Sequence, residues 1–310
     1  MKVLVTGGAG YIGSTLVPML LDKGHNVTVL DRMIYQQTSL LSSCHRESCR
    51  IINGDVRNQN LLREEVGKAD TIIALAALVG APLCDLEPET SDAVNRDAIK
   101  FISDVKGKDQ KLLYPCTNSG YGIGQEGIHC DENSPLNPIS RYGRQKVEAE
   151  KYILASGEAV SFRLATVFGV SPRMRLDLLV NDFTYRAFYD RFIVLFEAHF
   201  KRNYLYIRDA ANAFLHGIEN YDRMKGNAYN VGLSEANLNK EELCAEIKKQ
   251  IPDFTYMLSE IGKDPDKRNY IVSNEKIEST GFKAETSLAQ GITELKKSFT
   301  MIKRKEFANY

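Results

Sequence analysis

Tyr142 and Lys146 stand four residues apart in RYGRQK, a spacing that puts both on one face of a helix. A phenol with its ordinary pKa of about 10 is a poor base at neutral pH. A lysine ammonium beside it, together with a positively charged hydride acceptor, would stabilise the phenolate and bring that value down. Tyr142 could then take the proton of an alcohol while a hydride leaves the same carbon. Thr117, in CTNSGYG, ends an apolar run and offers its hydroxyl to the same alcohol. The expected catalytic set is Thr117, Tyr142 and Lys146.

The acceptor is named by the other end of the chain. TGGAGYIG (6–13) follows an apolar run and opens a helical pattern, with Gly7, Gly10 and Gly13 in a variant of the dinucleotide fingerprint. Gly7 suits a tight turn, Gly10 a backbone that approaches a pyrophosphate, and Gly13 close packing of the helix. Tyr11 and Ile12 lie in the same turn, whose helix N-terminus favours phosphate charge. Asp31, 18 residues after Gly13, can accept hydrogen bonds from an adenosine ribose and repels a 2′-phosphate. NAD is therefore favoured over NADP, although Arg32 next to it could pair with that phosphate. Asp55 and Val56 in NGDVRN are placed to contact adenine, and the small residues of LAALVG, starting with Leu75, Ala76 and Ala77, to flank the cofactor.

These residues need a scaffold. KVLVT (2–6), NVTVLD (26–31), RIING (50–54), DTIIALAA (70–77), KLLYPCT (111–117) and AVSFRLATVFG (159–169) read as buried strands. Helical patterns lie near 11–23, 58–67, 92–106 and 141–156, with a kink expected at Pro18. Strands alternating with helices predict an α/β Rossmann fold, a doubly wound parallel sheet with ligands at the strands' carboxyl ends. Residues 1–169 are expected to form the NAD-binding domain, with about 200–231 returning to it. Residues 170–310 are expected to form mainly a smaller C-terminal α/β lobe for substrate. In that part a helix is expected over 171–187, strands near 204–207, 228–231 and 269–272, and helices at 209–221, 239–250 and 287–303.

Composition narrows the class. Lys+Arg and Asp+Glu both total 40, which argues against a nucleic-acid binder. Six cysteines and five histidines show no metal-ligand spacing, so no metal is expected. No apolar run approaches the ~20 residues of a membrane span, and no signal-peptide core precedes the glycines. A cytoplasmic protein is expected.

Taken together, TGGAGYIG, Asp31, GDV, Thr117 followed by Tyr121–Gly122, and YGRQK resemble the extended short-chain dehydrogenase/reductases over essentially the whole chain. That family includes nucleotide-sugar epimerases, 4,6-dehydratases and decarboxylases. The resemblance implies a substrate site containing Ser119, Asn181, Arg202 as a pyrophosphate ligand, and Asp266 and Arg268 in DPDKRNY closing over the nucleotide. Arg173 and Arg175 are candidates for the same anion site. It also implies a homodimer through helices 92–106 and 141–156, whose apolar residues Ile99, Ile102, Val147 and Ile153 could face the partner or equally pack inside one chain.

The family's 4,6-dehydratases carry Asp and Glu just after the threonine, as acid and base. Here those positions are Asn118 and Ser119, neither of which is a general base near pH 7. What remains is hydride chemistry: oxidation alone, or oxidation followed by reduction on the other face, which is epimerisation. A non-catalytic NAD sensor is the contrasting class, and an intact Tyr142 and Lys146 argue against it. TNSGYGIG, LAALVGAP, SFRLATVFGVSPRMRLDLLVNDFTYRA and RKEFANY are similar to GDP-heptose 4-dehydrogenases of capsule synthesis. That likeness implies a GDP-linked sugar substrate and a tightly bound NAD+/NADH reoxidised by 2-oxoglutarate. Two positions depart from the wider family: Thr166 stands where Asn is common, and Cys116 where Ser precedes the threonine, a small buried thiol on the simplest reading.

Overall fold

The computed structural model describes residues 1–125, 127–260 and 268–302. The first half follows the alternation of the sequence: β1 (Lys2–Thr6), α1 (Gly13–Asp22), β2 (Asn26–Asp31), β3 (Cys49–Asn53), α2 (Gln59–Gly67) and β4 (Thr71–Ala74). Then come α3 (Ala81–Leu86), α4 (Pro88–Asp92), a π-helical stretch (Ala93–Asp97), α5 (Ala98–Val105), β5 (Lys111–Thr117), β6 (His129–Cys130) and α6 (Arg141–Leu154). β7 (Ala159–Leu164) and β8 (Thr166–Phe168) follow. Pro18 lies inside α1 without dividing it.

Seven parallel strands form the central sheet in the order β3-β2-β1-β4-β5-β7, closed by β11 (Asn227–Val231) beside β7. Central strands are mostly apolar because helices cover both faces: every residue of β4 and β7 is buried, Ser161 and Arg163 of β7 included, whereas β3 at the edge is partly exposed. α1 packs on one face with α8 (Ile207–Glu219), and α2, α5 and α6 pack on the other. The strand order reverses between β1 and β4, so a crevice opens at their carboxyl ends.

The run 159–169 is two strands rather than one. β7 stays in the central sheet, and after Ala165 the chain enters β8, which pairs in parallel with β10 (Arg202–Tyr206), itself antiparallel to β12 (Asn237–Leu238). α7 runs Leu179–Tyr189, so the expected helix over 171–187 is replaced by an irregular segment up to Leu178. β9 (Phe192–Phe196) pairs in parallel with β13 (Thr255–Ser259), a pairing absent from the sequence reading. α9 (Tyr221–Met224), α10 (Lys240–Gln250), β14 (Ile271–Val272), α11 (Glu275–Glu278) and α12 (Leu288–Ser298) complete the described chain, with β14 beside β6.

Ile99, Ile102, Val147 and Ile153 do not face outward. All four are buried within this chain: Ile99, Ile102 and Ile153 pack in the core between the helices and the sheet, and Val147 lies against Gly120. The exposed surface of the two helices instead carries Tyr152, whose hydroxyl donates to Asp104 at 2.7 Å beneath the Lys100 ammonium. Among the described residues no helix is long and apolar enough to cross a membrane, and no cluster of potential metal ligands occurs.

Candidate active site

A cleft of about 1130 Å³ opens at the carboxyl ends of the central strands. It exceeds the ~300–1,000 Å³ of ordinary small-molecule pockets and has room for two ligands. Thr117, Tyr142 and Lys146 line it together with Gly7, Gly10, Tyr11, Ile12, Gly13, Asp31, Asp55, Val56, Leu75, Ala76 and Ala77. Ser119, Arg202 and Arg268 line it as well.

The reactive side chains are set by α6. Ser140 caps the helix, its Oγ accepting from the Gly143 N–H at 3.1 Å, and the i, i+4 spacing then turns Tyr142 and Lys146 to the cleft. The Lys146 carbonyl accepts from the Tyr114 hydroxyl and the Cys116 thiol of β5, tying the helix to the strand that ends in Thr117. The Lys146 ammonium lies 4.0 Å from the centre of the Tyr114 ring. Burial pushes Lys146 down to about 8, with Cys116 and Glu150 opposing, and raises Tyr142 well above its ordinary range. Arg175 and Arg268 pull Tyr142 back toward ionisation. Protein alone thus keeps the phenol protonated, and an added positive charge in the cleft is what would bring out the phenolate. Burial also raises the Cys116 thiol, in keeping with a packing role.

Thr117 Oγ1 accepts from the Ser119 N–H at 3.1 Å and lies 2.9 Å from Ser119 Oγ. The Arg268 guanidinium donates to that same Oγ, so Ser119 stands between the threonine and a cation.

On the other side the glycine-rich turn follows from sterics. Gly7 has φ +69° and its absent Cβ would sit 2.6 Å from the Ala76 backbone nitrogen. Gly13 packs against Gly8, where a Cβ would come within 2.5 Å of backbone, so the close approach lies inside the turn. No side chain caps the N-terminus of α1. Asp31 accepts from the Ala9 N–H at 3.0 Å and the Met33 N–H at 2.9 Å, which aims its carboxylate along the cleft wall. Burial raises its pKa, and those two N–H groups oppose the shift. Asp55 is gripped by Arg57 and approached by Arg32 at 3.4 Å, which holds it below the usual carboxylate range. A turn of bare backbone and a ribose-reading carboxylate fit a dinucleotide.

One expected substrate residue falls elsewhere, and one cannot be placed among the described residues. Asn181 does not line the cleft: it is buried, accepts from the Gly169 N–H at 2.9 Å, and donates to Tyr11 Oη at 3.2 Å and the Arg175 carbonyl at 2.8 Å. Its amide is spent on fixing Tyr11, a role its position in LLVNDF does not disclose. Asp266 lies outside the described residues. Arg175 lines the cleft paired with Asp177, and Arg173 lines it over the Tyr35 ring.

The sequence reading missed a buried network behind the site. Asn95, in the π-helical stretch, exchanges hydrogen bonds with the Leu78 backbone at 2.8 and 2.9 Å and donates to Gln145 Oε1 at 2.9 Å. Gln145 donates in turn to Ser91 Oγ at 2.8 Å. This chain locks α6 to the loop after β4, which flanks the cofactor side. The available signal was an asparagine on the stripe shared with Ala98, Ile99 and Ile102. A second anchor, Arg163–Glu150 at 2.7 Å, joins β7 to α6 and adds the Tyr121 hydroxyl at 3.0 Å.

Known proteins share the fold. The model of the family "NAD dependent epimerase/dehydratase" matches residues 3–232. The dTDP-D-glucose 4,6-dehydratase of Mus musculus is 25% identical over 329 residues, covering 100% of this chain and 90% of its own. The low-salt glycan biosynthesis protein Agl12 of Haloferax volcanii is 26% identical over 306 residues, covering 94% and 96%. Among solved structures, the UDP-glucuronic acid 4-epimerase of Bacillus cereus, bound to UDP-glucuronic acid and NAD, superposes with TM-score 0.85 at 21% identity over 97% and 99% of the chains. The NAD complex of Thermus thermophilus UDP-glucose 4-epimerase does so with TM-score 0.83 at 23% identity, over 97% and 99%. The glycine turn, Asp31 and the family match make NAD the cofactor. The chain belongs to the NAD-dependent epimerase/dehydratase family, a group of enzymes.

Proposed function

We propose that this chain is an NAD-dependent nucleotide-sugar 4-dehydrogenase. In this reading it oxidises carbon 4 of GDP-D-glycero-α-D-manno-heptose to the 4-keto sugar, in the biosynthesis of capsular heptose. Bound NADH is reoxidised by 2-oxoglutarate, whose keto group becomes an alcohol. The observation that carries the hydride chemistry is the grouping of Thr117, Tyr142 and Lys146 on one cleft, with Asn118 and Ser119 where an acid and a base would stand.

NAD, when bound, accepts the hydride of carbon 4. The protein's share is positional and protolytic. Thr117 Oγ1 and the Tyr142 hydroxyl hold the carbon 4 alcohol, Tyr142 takes its proton as phenolate, and Lys146 stabilises that charge. Arg202 and Arg268 supply cations for a sugar diphosphate. The relatives support a nucleotide sugar as substrate class, their names containing UDP-glucose, UDP-glucuronic acid and dTDP-D-glucose. The GDP-heptose and 2-oxoglutarate rest on likeness to the 4-dehydrogenases of Campylobacter capsule synthesis.

The test is mass and NMR analysis of the product formed from GDP-D-glycero-α-D-manno-heptose, with and without 2-oxoglutarate. A product lighter by two hydrogens that accumulates only with 2-oxoglutarate is expected. An isomer of unchanged mass would overturn the dehydrogenase reading and make the chain a 4-epimerase with the same side chains. No turnover, with NAD still bound, would favour a non-catalytic role.

A further inference from the structure

We propose that Tyr114 is the positioning residue for the lysine of the Tyr142–Lys146 pair: the face of its ring holds the Lys146 ammonium in place and charged. The centre of the ring lies 4.0 Å from Lys146 Nζ, and the Tyr114 hydroxyl donates to the Lys146 carbonyl at 3.4 Å. One side chain of β5 thus meets both ends of one residue of α6. Strand alternation puts Cys116 on the same face, and its thiol reaches the same carbonyl at 3.6 Å. Tyr142 packs against the core cluster to which Tyr114 belongs. Tyr114 is 0% exposed and does not line the cleft, so it meets neither sugar nor cofactor and acts only through the lysine.

The rest of the site does little for that ammonium. Among the described residues Lys146 Nζ has no hydrogen-bond acceptor and no carboxylate at ion-pair distance. Glu150, one turn further along α6, is committed to Arg163 and Ser161 of β7. The other groups that bear on Lys146 are Cys116 of β5 and Cys84 of α3, thiols whose own pKa values burial raises, so both are neutral near pH 7. A buried ammonium without an acceptor tends to lose its proton, and a neutral amine gives the Tyr142 phenolate no support. The negative face of an aromatic ring opposes that loss, most strongly where water is excluded. Tyr114 is not a second base, because burial raises its own phenol well above the ordinary value, with Cys116, Tyr142 and Glu150 acting in the same direction. The proposal rests on Lys146 acting with Tyr142 as described above, but its test needs no sugar.

The experiment is an NMR titration of the Lys146 ε-carbon in NAD-bound protein carrying carbon-13-labelled lysine, the resonance being identified by its loss in Lys146→Met. Tyr114 is replaced by phenylalanine, by leucine and, through site-specific incorporation, by pentafluorophenylalanine, which keeps the ring but reverses the charge of its face. Tyr114→Phe should titrate with the wild type, since the ring face is retained. The fluorinated ring and Tyr114→Leu should bring the Lys146 midpoint down by about one pH unit. Should Tyr114→Leu fail to fold, the fluorinated ring carries the test. A midpoint that does not move on fluorination would overturn the proposal. So would a Tyr114→Phe midpoint displaced as far as the fluorinated one, which would assign the effect to the hydroxyl. With the GDP-heptose as substrate, the alkaline limb of the kcat profile should move down by the same amount at unchanged KM. A kcat lowered equally at every pH would overturn the proposal and reduce Tyr114 to a packing residue.

Discussion

Replacing Lys146 with methionine should stabilise the cofactor-free protein at neutral pH while abolishing its turnover. The Lys146 side chain is 2% exposed, and burial brings its pKa from 10.5 to about 8. That difference corresponds to about 3 kcal/mol of disfavour for the ammonium in the folded state. The sign follows from proton binding. Between pH 8 and 10.5 the unfolded lysine holds its proton while the folded one has lost it, so wild-type stability rises with pH across that window. Below about pH 8 the penalty is present in full. Methionine removes it, and also removes the ammonium's contact with the Tyr114 ring, worth ~1 kcal/mol. The net expectation is a variant about 2 kcal/mol more stable at pH 7, the advantage shrinking to nothing or reversing near pH 10.5. The assay is urea unfolding of NAD-stripped wild type and Lys146→Met from pH 6.5 to 10. The thiols that bear on Lys146, Cys116 and Cys84, are present in both proteins, so the difference between the two curves follows mainly the lysine. A difference that stays constant over this range would refute the reasoning, since it would mean that the lysine's charge is not opposed by its site.

Tyr142→Phe should lower kcat at least ~100-fold while bound NAD, read from absorbance after denaturation, stays at the wild-type level; unchanged turnover would remove Tyr142 from the chemistry. Arg163→Met strands the Glu150 carboxylate, now bonded at 2.7 Å, and should cost about 3–5 kcal/mol in urea unfolding. Gly13→Ala drives a methyl to within 2.5 Å of the Gly8 backbone, so NAD titration should show binding lost together with a lower melting temperature. The homodimer implied by the family resemblance would use the polar face of α5 and α6 around Tyr152, and sedimentation showing only monomer at micromolar concentration would dismiss it.

The sequence disclosed what local pattern determines. β1, β2 and β5 begin and end where their apolar runs do, because strands covered on both faces need unbroken apolar sequence. The pair Tyr142 and Lys146 was visible because four residues make a helical face. What escaped depends on partners far along the chain. In AVSFRLATVFG the polar Ser161 and Arg163 lie inside β7 and do not interrupt it, so nothing local marks Ala165 as the point where one strand leaves its sheet for another. Phe192–Phe196 is a strand because Thr255–Ser259 lies beside it, a pairing across some sixty residues. SPRMRLDLLVN looked helical through its Pro and apolar spacing, yet the Ser171 hydroxyl and the Arg173 backbone N–H bond to Tyr11 and Ser14 far back in the chain. Asn181 was overread for the complementary reason: a conspicuous polar residue near a site can serve the wall instead of the ligand.

The residues after Thr117 bear on why this scaffold would stop at hydride transfer. Asn118 is 1% exposed, does not line the cleft, and both polar atoms of its side chain lack a hydrogen-bond partner among the described residues. Ser119 does line the cleft, but its Oγ is held between Thr117 and the Arg268 guanidinium, which favours an anionic neighbour and gives the hydroxyl no base. On the proposed assignment, proton transfer at this end of the cleft falls to Tyr142, with Lys146 behind it. One proton-transferring group suffices to oxidise an alcohol, where loss of water from the next carbons needs an acid and a base together.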